Sequence, residues 1–277
     1  MIITTIADFI KSIPTATGTK WDAIESFVTS ADFEIKTMLI GSDLYNYIAA
    51  LTGTTALKTT LQNLIAFTAY SKAIPFVDLI QTPTGFAVVN NANHAPASKE
   101  RVERLLKWCD KEIDKNTDLL IMQVVDTAQA LTEWKKFKRF NNFTNCLFLT
   151  GIDFAGYAKT ENGSRADFLK VKGTLLAIQK NDLSEALSAN YVAELVTQNR
   201  NNTLTEKNLF VVESCKLVMA KYVEKEEHEA EELLTQIVVM MEKTLTDYPA
   251  YSASAEYALK NMPTYQNKAT DSTFFFN

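Results

Sequence analysis

The sequence predicts a mainly α-helical fold, a multi-helix bundle carrying one or two short β segments. Three observations point there. Gly (8) and Pro (6) are scarce in 277 residues, well under the usual ~7% and ~5%, so long runs can stay helical. Apolar residues recur at spacings of three and four along most of the chain, the period of a helix with one buried face. Turn-forming residues instead gather in two islands, residues 82–99 and 141–164.

The elements follow in order. Thr5 caps a short helix that stops before Pro14, and Trp21 to Val28 forms another. Ala31 onward places Ile35, Met38 and Leu39 on one face, breaks at Gly41, and restarts with Ser42 as cap for Asp43 to Leu51. A longer helix from Thr55 steps through Leu57, Leu61, Leu64, Ile65, Thr68 and Lys72, and Pro75 ends it near Ile74. The first island, TPTGFAVVNNANHAPASK, holds a short apolar run at Phe86 to Val89 between turn residues, the pattern of a strand or half a hairpin.

Ser98 caps the next helix, which runs through Asp126, and Ala128 to Phe140 forms a basic-faced helix with Lys135, Lys136, Lys138 and Arg139. Such a cluster is the mark of a solvated face, or else of an acidic partner's landing surface. In the second island the run Cys146 to Leu149 is a second candidate strand. Ser164 then caps a helix, LSEALSANYVAELVTQ continues helically, and Thr205 with Asn208 opens the longest helix. The charged link EKEEHEAEE (224–232) either projects as the middle of one helix or marks two helices meeting.

Two pseudo-repeated helical halves are suggested by Ala31-Asp32-Phe33 and Ala166-Asp167-Phe168, each followed by Asn-Leu at 63–64 and 208–209 with a longer spacing in the second half. The expected organisation is a helical half over 1–140 with a contact loop at 82–99, a second helical half over 141–262, and a docked tail over 263–277.

The chemistry expected is that of a structural protein rather than an enzyme. Hydrophobic residues make up 47% and charged residues 22%, with a formal net charge of −5, which supplies no basic footprint for phosphates and so disfavours direct nucleic-acid binding. Cys109, Cys146 and Cys215 are too dispersed for a disulfide framework or a zinc site. The opening residues place Lys11 after their apolar stretch, unlike a signal peptide, and no apolar run approaches the ~20 residues that span a bilayer, so no membrane partner is expected. No nucleophile-elbow, phosphate-loop, dinucleotide or zinc-protease motif occurs, so no catalytic, cofactor-binding or metal-ligating residue is assigned. His228 shares a helical face with Glu224 and Glu231, a spacing able to hold a divalent ion, but its uniformly charged neighbourhood reads as solvated. Phe274, Phe275 and Phe276 follow a polar stretch; exposed together they would be a liability, so they are expected to dock on their own chain or on a neighbour.

The segments AIPFVDLIQTPTGFAVVNN (73–91), APASKERVERL (95–105) and LTGIDFAGYAKTENGSRADFLKVK (149–172) resemble an uncharacterised, mostly helical family encoded by Bacteroidetes phages and prophages beside head genes. That resemblance implies a virion structural protein of the head-tail connector or adaptor kind. It would be a homo-oligomeric ring, twelvefold where it matches a portal, assembled in the bacterial host cytoplasm and bound to portal and tail proteins. Residues 82–99 would be its contact arm, with Gly85, Phe86, Val88, His94 and Pro96 as contact residues, and Phe274, Phe275 and Phe276 would anchor a subunit to its neighbour. The alternative is a cellular helical scaffold or interaction protein without catalytic activity.

Overall fold

The computed structural model describes residues 1–13, 18–76, 79–82, 85–88, 98–159 and 164–262, with the two short strands given by backbone alone. The fold is mainly helical. Two compact units divide the chain, residues Met1–Gly173 with Arg200–Thr203, and residues Thr174–Asn199 with Leu204–Asn277.

In the first unit, α1 (Ile6–Ser12) starts at Thr5, whose hydroxyl accepts the Asp8 N–H at 3.2 Å. This bond satisfies one of the donors that every helix start leaves over. α2 (Trp21–Glu34) runs without interruption through Ala31-Asp32-Phe33 into a π-helical stretch, Ile35–Ile40, and then directly into α3 (Gly41–Ala50). The two helices expected on either side of residue 30 are therefore one. Val28 and Ala31 are both fully buried, and no Gly or Pro lies between them to break the hydrogen-bond ladder.

Ser42 does not cap α3, which has no side-chain cap. The corner is made by Gly41 itself, at φ +78° and ψ 162°, a region that residues with a Cβ rarely enter. A Cβ there would also lie 2.9 Å from the Phe137 side chain. Gly41→Ala is expected to destabilise the fold by about 3 kcal/mol, read as a lower urea midpoint with unchanged m-value.

Thr55 caps α4 (Ala56–Ala73) by accepting the Lys58 N–H at 3.3 Å. Leu57, Leu61, Leu64 and Ile65 are buried as their spacing predicts, together with Phe67 and Ala69. Beyond α4, β1 (Leu79–Thr82) pairs antiparallel with β2 (Gly85–Val88), Thr82 opposite Gly85. α5 (Lys99–Asp126), at 28 residues, is the longest described helix, so the helix after Thr205 is not. Ser98 occupies its N-cap position without a side-chain bond.

α6 (Ala128–Lys135) ends short of Phe140. The chain turns there so that Phe137 meets Gly41 and Phe140 stacks edge-on against Trp134, ring centroids 5.1 Å apart. α7 (Phe140–Thr144) and α8 (Gly151–Ala155) complete the second island. The expected strand at Cys146 to Leu149 is not formed, and the chain bends there instead. Their apolar side chains serve burial instead. Cys146, Leu147 and Phe148 have no exposed surface, and Phe148 meets Phe154 and Tyr157 edge-on.

α9 (Arg165–Ile178) begins at Ser164, whose hydroxyl accepts the Asp167 N–H at 3.1 Å, and carries the chain from the first unit into the second. The division thus falls within α9 rather than at residue 140. Residues 141–173 stay with the first unit because α8 and the start of α9 bond to α5, as described below.

The second unit continues with a π-helical stretch, Gln179–Leu183, α10 (Ser184–Leu187) and α11 (Ala189–Arg200). Between the last two, Ser188 sits at φ +78° and ψ 144°. Its hydroxyl accepts the Tyr191 N–H at 3.2 Å, a cap that offsets the strain of a non-glycine residue there. Thr205 caps α12 (Glu206–Val223) by accepting the Asn208 N–H, and α13 (Glu227–Lys243) packs against it. The charged link is therefore the turn of a helical hairpin, with Lys225 at φ +62° and Lys221 bonded to both Glu226 and Glu229. A 3-10 turn (Leu245–Asp247), α14 (Pro249–Ser252) and α15 (Ala255–Lys260) close the described chain.

Candidate interaction surfaces

The first surface is the ribbon between α4 and α5. Gly85, Phe86 and Val88 all lie on β2, opposite Thr82, Gln81 and Leu79 respectively. His94 and Pro96 lie outside the described residues, as do Phe274, Phe275 and Phe276. Where the insertion leaves α4, Phe76 is 58% exposed and stacks on Phe27 at 5.9 Å.

The second surface is not among those the sequence predicts. α12 buries a stripe of Val211, Cys215 and Val218, and α13 one of Leu234, Ile237, Val238 and Met241. Outside those stripes, Phe210, Ser214 and Leu217 of α12 face Leu233, Gln236 and Met240 of α13 across a groove of about 300 Å³. At one end Phe210 and Met240 also border a second hollow of about 520 Å³, rimmed by Glu206, Lys207, Lys243 and Tyr248. The signal that could have found the groove is a second, outward apolar stripe on helices already supplied with an inward one.

The basic segment occupies a third place. Lys136, Lys138 and Arg139 border a hollow of about 390 Å³ with Lys36 and Asp43. Lys136 bonds Glu133 at 2.5 Å, which raises its pKa. Arg139 rests on the Met38 sulfur at 3.2 Å.

A fourth cluster centres on the buried pair Asp118 and Arg165. Asp118 on α5 accepts the Arg165 guanidinium at 2.7 Å and the Ile152 N–H at 3.0 Å. Asp114, one turn earlier, accepts the Ala166 N–H at 3.2 Å, and burial pushes its carboxyl above the usual carboxylate range. Gly151 is needed at this junction, because a Cβ would lie 2.8 Å from the Ser164 and Arg165 backbone. With both Asp118 oxygens committed to α8 and α9, the cluster reads as a clamp.

His228 is exposed in the first turn of α13. Among the described residues no group of three or more His, Cys, Asp or Glu is placed to hold a metal ion, and no helix is long and apolar enough to cross a membrane. Cys109, Cys146 and Cys215 are free and buried, and desolvation pushes their thiols up to about 11, about 11 and about 12. Thiolate is the reactive form. A disulfide reagent at pH 8 is therefore expected to titrate almost no thiol in the native protein and all three after unfolding in guanidinium.

Residues 19–144 match a family of unknown function, DUF6712. The match opens just before α2 and closes on the last residue of α7. No curated protein and no solved structure matches the chain.

Proposed function

We propose that this protein is a structural subunit of a virion, a head-tail connector or adaptor that assembles as a ring and binds portal and tail proteins. The observation that carries this reading is the insertion between α4 and α5. Two helices packed side by side need only a short connection, typically two to eight residues, whereas the chain here runs from Ile74 to Ser98 and includes a paired ribbon. An isolated two-stranded ribbon is marginally stable in water, so an arm of this kind gains most by laying itself on a partner. Gly85, Phe86, Val88, His94 and Pro96 are the contact residues of that arm, and the ring is twelvefold where it meets a portal. The resemblance of residues 73–91, 95–105 and 149–172 to phage head-neighbourhood proteins supports the same reading.

The ring subunit is built from two copies of one helical design. In each, a helix passes through a π-helical stretch to a residue at φ +78°, Gly41 or Ser188. A shorter helix follows, then a threonine cap at Thr55 or Thr205, then an 18-residue helix, α4 or α12, paired with its successor. The short residue matches do not fall in this register: Ala31 lies near the end of α2 and Ala166 in the first turn of α9. Backbone geometry, more than residue identity, supports the duplication.

Electron micrographs of the purified chain mixed with its portal test the assignment. Rings seated on the portal are expected, and a chain that stays a free subunit at all portal concentrations would favour the cellular scaffold.

A further inference from the structure

The groove between α12 and α13 has a counterpart that is covered. Placing the two threonine caps in register sets Phe210, Ser214 and Leu217 of α12 against Thr60, Leu64 and Phe67 of α4. The α4 residues are 6%, 1% and 5% exposed, whereas Phe210 is 57% exposed. The inward positions match without such a difference: Leu61, Ile65 and Ala69 are buried, and so are Val211, Cys215 and Met219.

On α4 the residues beside this stripe receive the chain's first segment. Phe9 meets Tyr70 edge-on at 6.3 Å, Ser12 donates to Asn63 at 2.8 Å, and Ile3, Phe9 and Ile13 are fully buried. The helix α5 supplies Trp108 against Phe67, at 5.1 Å. On α12 no described segment does the same for Phe210 and Leu217.

We propose that the α12–α13 groove is covered by the chain's own segment 263–277, through Phe274, Phe275 and Phe276. This rests on the register of the two helices and stands whether or not the protein forms rings. Three features of the molecule choose this occupant. The described chain leaves beside α13, where Lys260 and Asn261 border the same hollow as Leu234, Thr235 and Val238, so the groove lies only across the width of one helix, ~10 Å. The stretch from Met262 to Phe274 reaches roughly 40 Å when extended, ample for that crossing. The segment's apolar residues are the consecutive phenylalanines of TDSTFFFN, and aromatic rings suit a cleft of Phe, Leu, Ile and Met side chains, where ring-ring and sulfur-ring contacts add to burial. Tethering makes the encounter intramolecular, which raises the effective concentration of the rings at the groove.

Disulfide trapping in the full chain tests this, since the native cysteines are buried and slow to react. Phe274, Phe275 and Phe276 are each replaced by Cys in combination with Leu233→Cys, and in a parallel series with Leu209→Cys, an exposed position on α12 that does not line the groove. At least one groove pair is expected to form an intramolecular disulfide under mild oxidation in at least tenfold greater yield than its Leu209→Cys counterpart. In addition, replacing all three phenylalanines by Ser is expected to raise binding of a hydrophobic dye several-fold by opening the groove. Equal trapping in both series, no trapping, or links found only between chains would overturn the proposal, as would dye binding that stays level or falls.

Discussion

Asp118→Ala is expected to destabilise the protein by about 3–5 kcal/mol, the usual cost of removing one partner from a buried ion pair. The Asp118 side chain is 1% exposed and Arg165 9%, so the guanidinium would keep its charge with little water to solvate it. The Ile152 N–H would lose its acceptor as well, and α8 and the start of α9 would lose their shared anchor on α5. The effect should appear as a lower urea midpoint in the transition that reports the first unit, because a chain of two compact units need not unfold in one step. A double variant, Asp118→Leu with Arg165→Met, is expected to cost distinctly less, since it leaves no buried charge behind. Equal losses for the single and double variants would show that shape rather than charge holds the junction.

This clamp is invisible in the sequence because its partners stand 47 positions apart and nothing local marks either of them. What is legible is local. Thr5, Ser164 and Thr205 cap the helices they are expected to cap, since the hydroxyl, the donor three residues on and the helix start lie within one turn. Thr150 does the same for α8, but its surroundings have the composition of a loop and hide the signal. The Cys146 to Leu149 run misleads for a related reason: a short apolar stretch between turns suits a strand or a buried bend equally, and only tertiary packing around Phe148 decides. The corner at Gly41 can be found because glycine announces it, whereas its counterpart Ser188 cannot, a serine at positive φ being uncommon. Of the candidate surfaces, the ribbon between α4 and α5 is readable as a break in the helices from the crowd of Pro, Gly and Asn around it. The α12–α13 groove is not, since Phe210, Leu233 and Met240 look like more core until the hairpin shows which faces are already used.

The second large effect concerns the arm itself. Replacing Gly85 to Ala97 by a short Gly/Ser linker removes backbone that contributes no described helix, and it spares the core residues of α4 and α5, Leu61, Ile65, Leu120 and Ile121 among them. The far-UV circular dichroism spectrum should therefore be nearly unchanged. If the chain forms the proposed ring through this arm, assembly should not survive, because a ring closes only when every subunit grips the next, and a grip removed from the subunit is missing at every interface. The direct measurement is sedimentation velocity of the unaltered and arm-replaced chains, each with and without portal. The unaltered chain is expected to sediment as a ring or with the portal and the arm-replaced chain as a free subunit; an arm-replaced chain that still enters the ring would contradict the account.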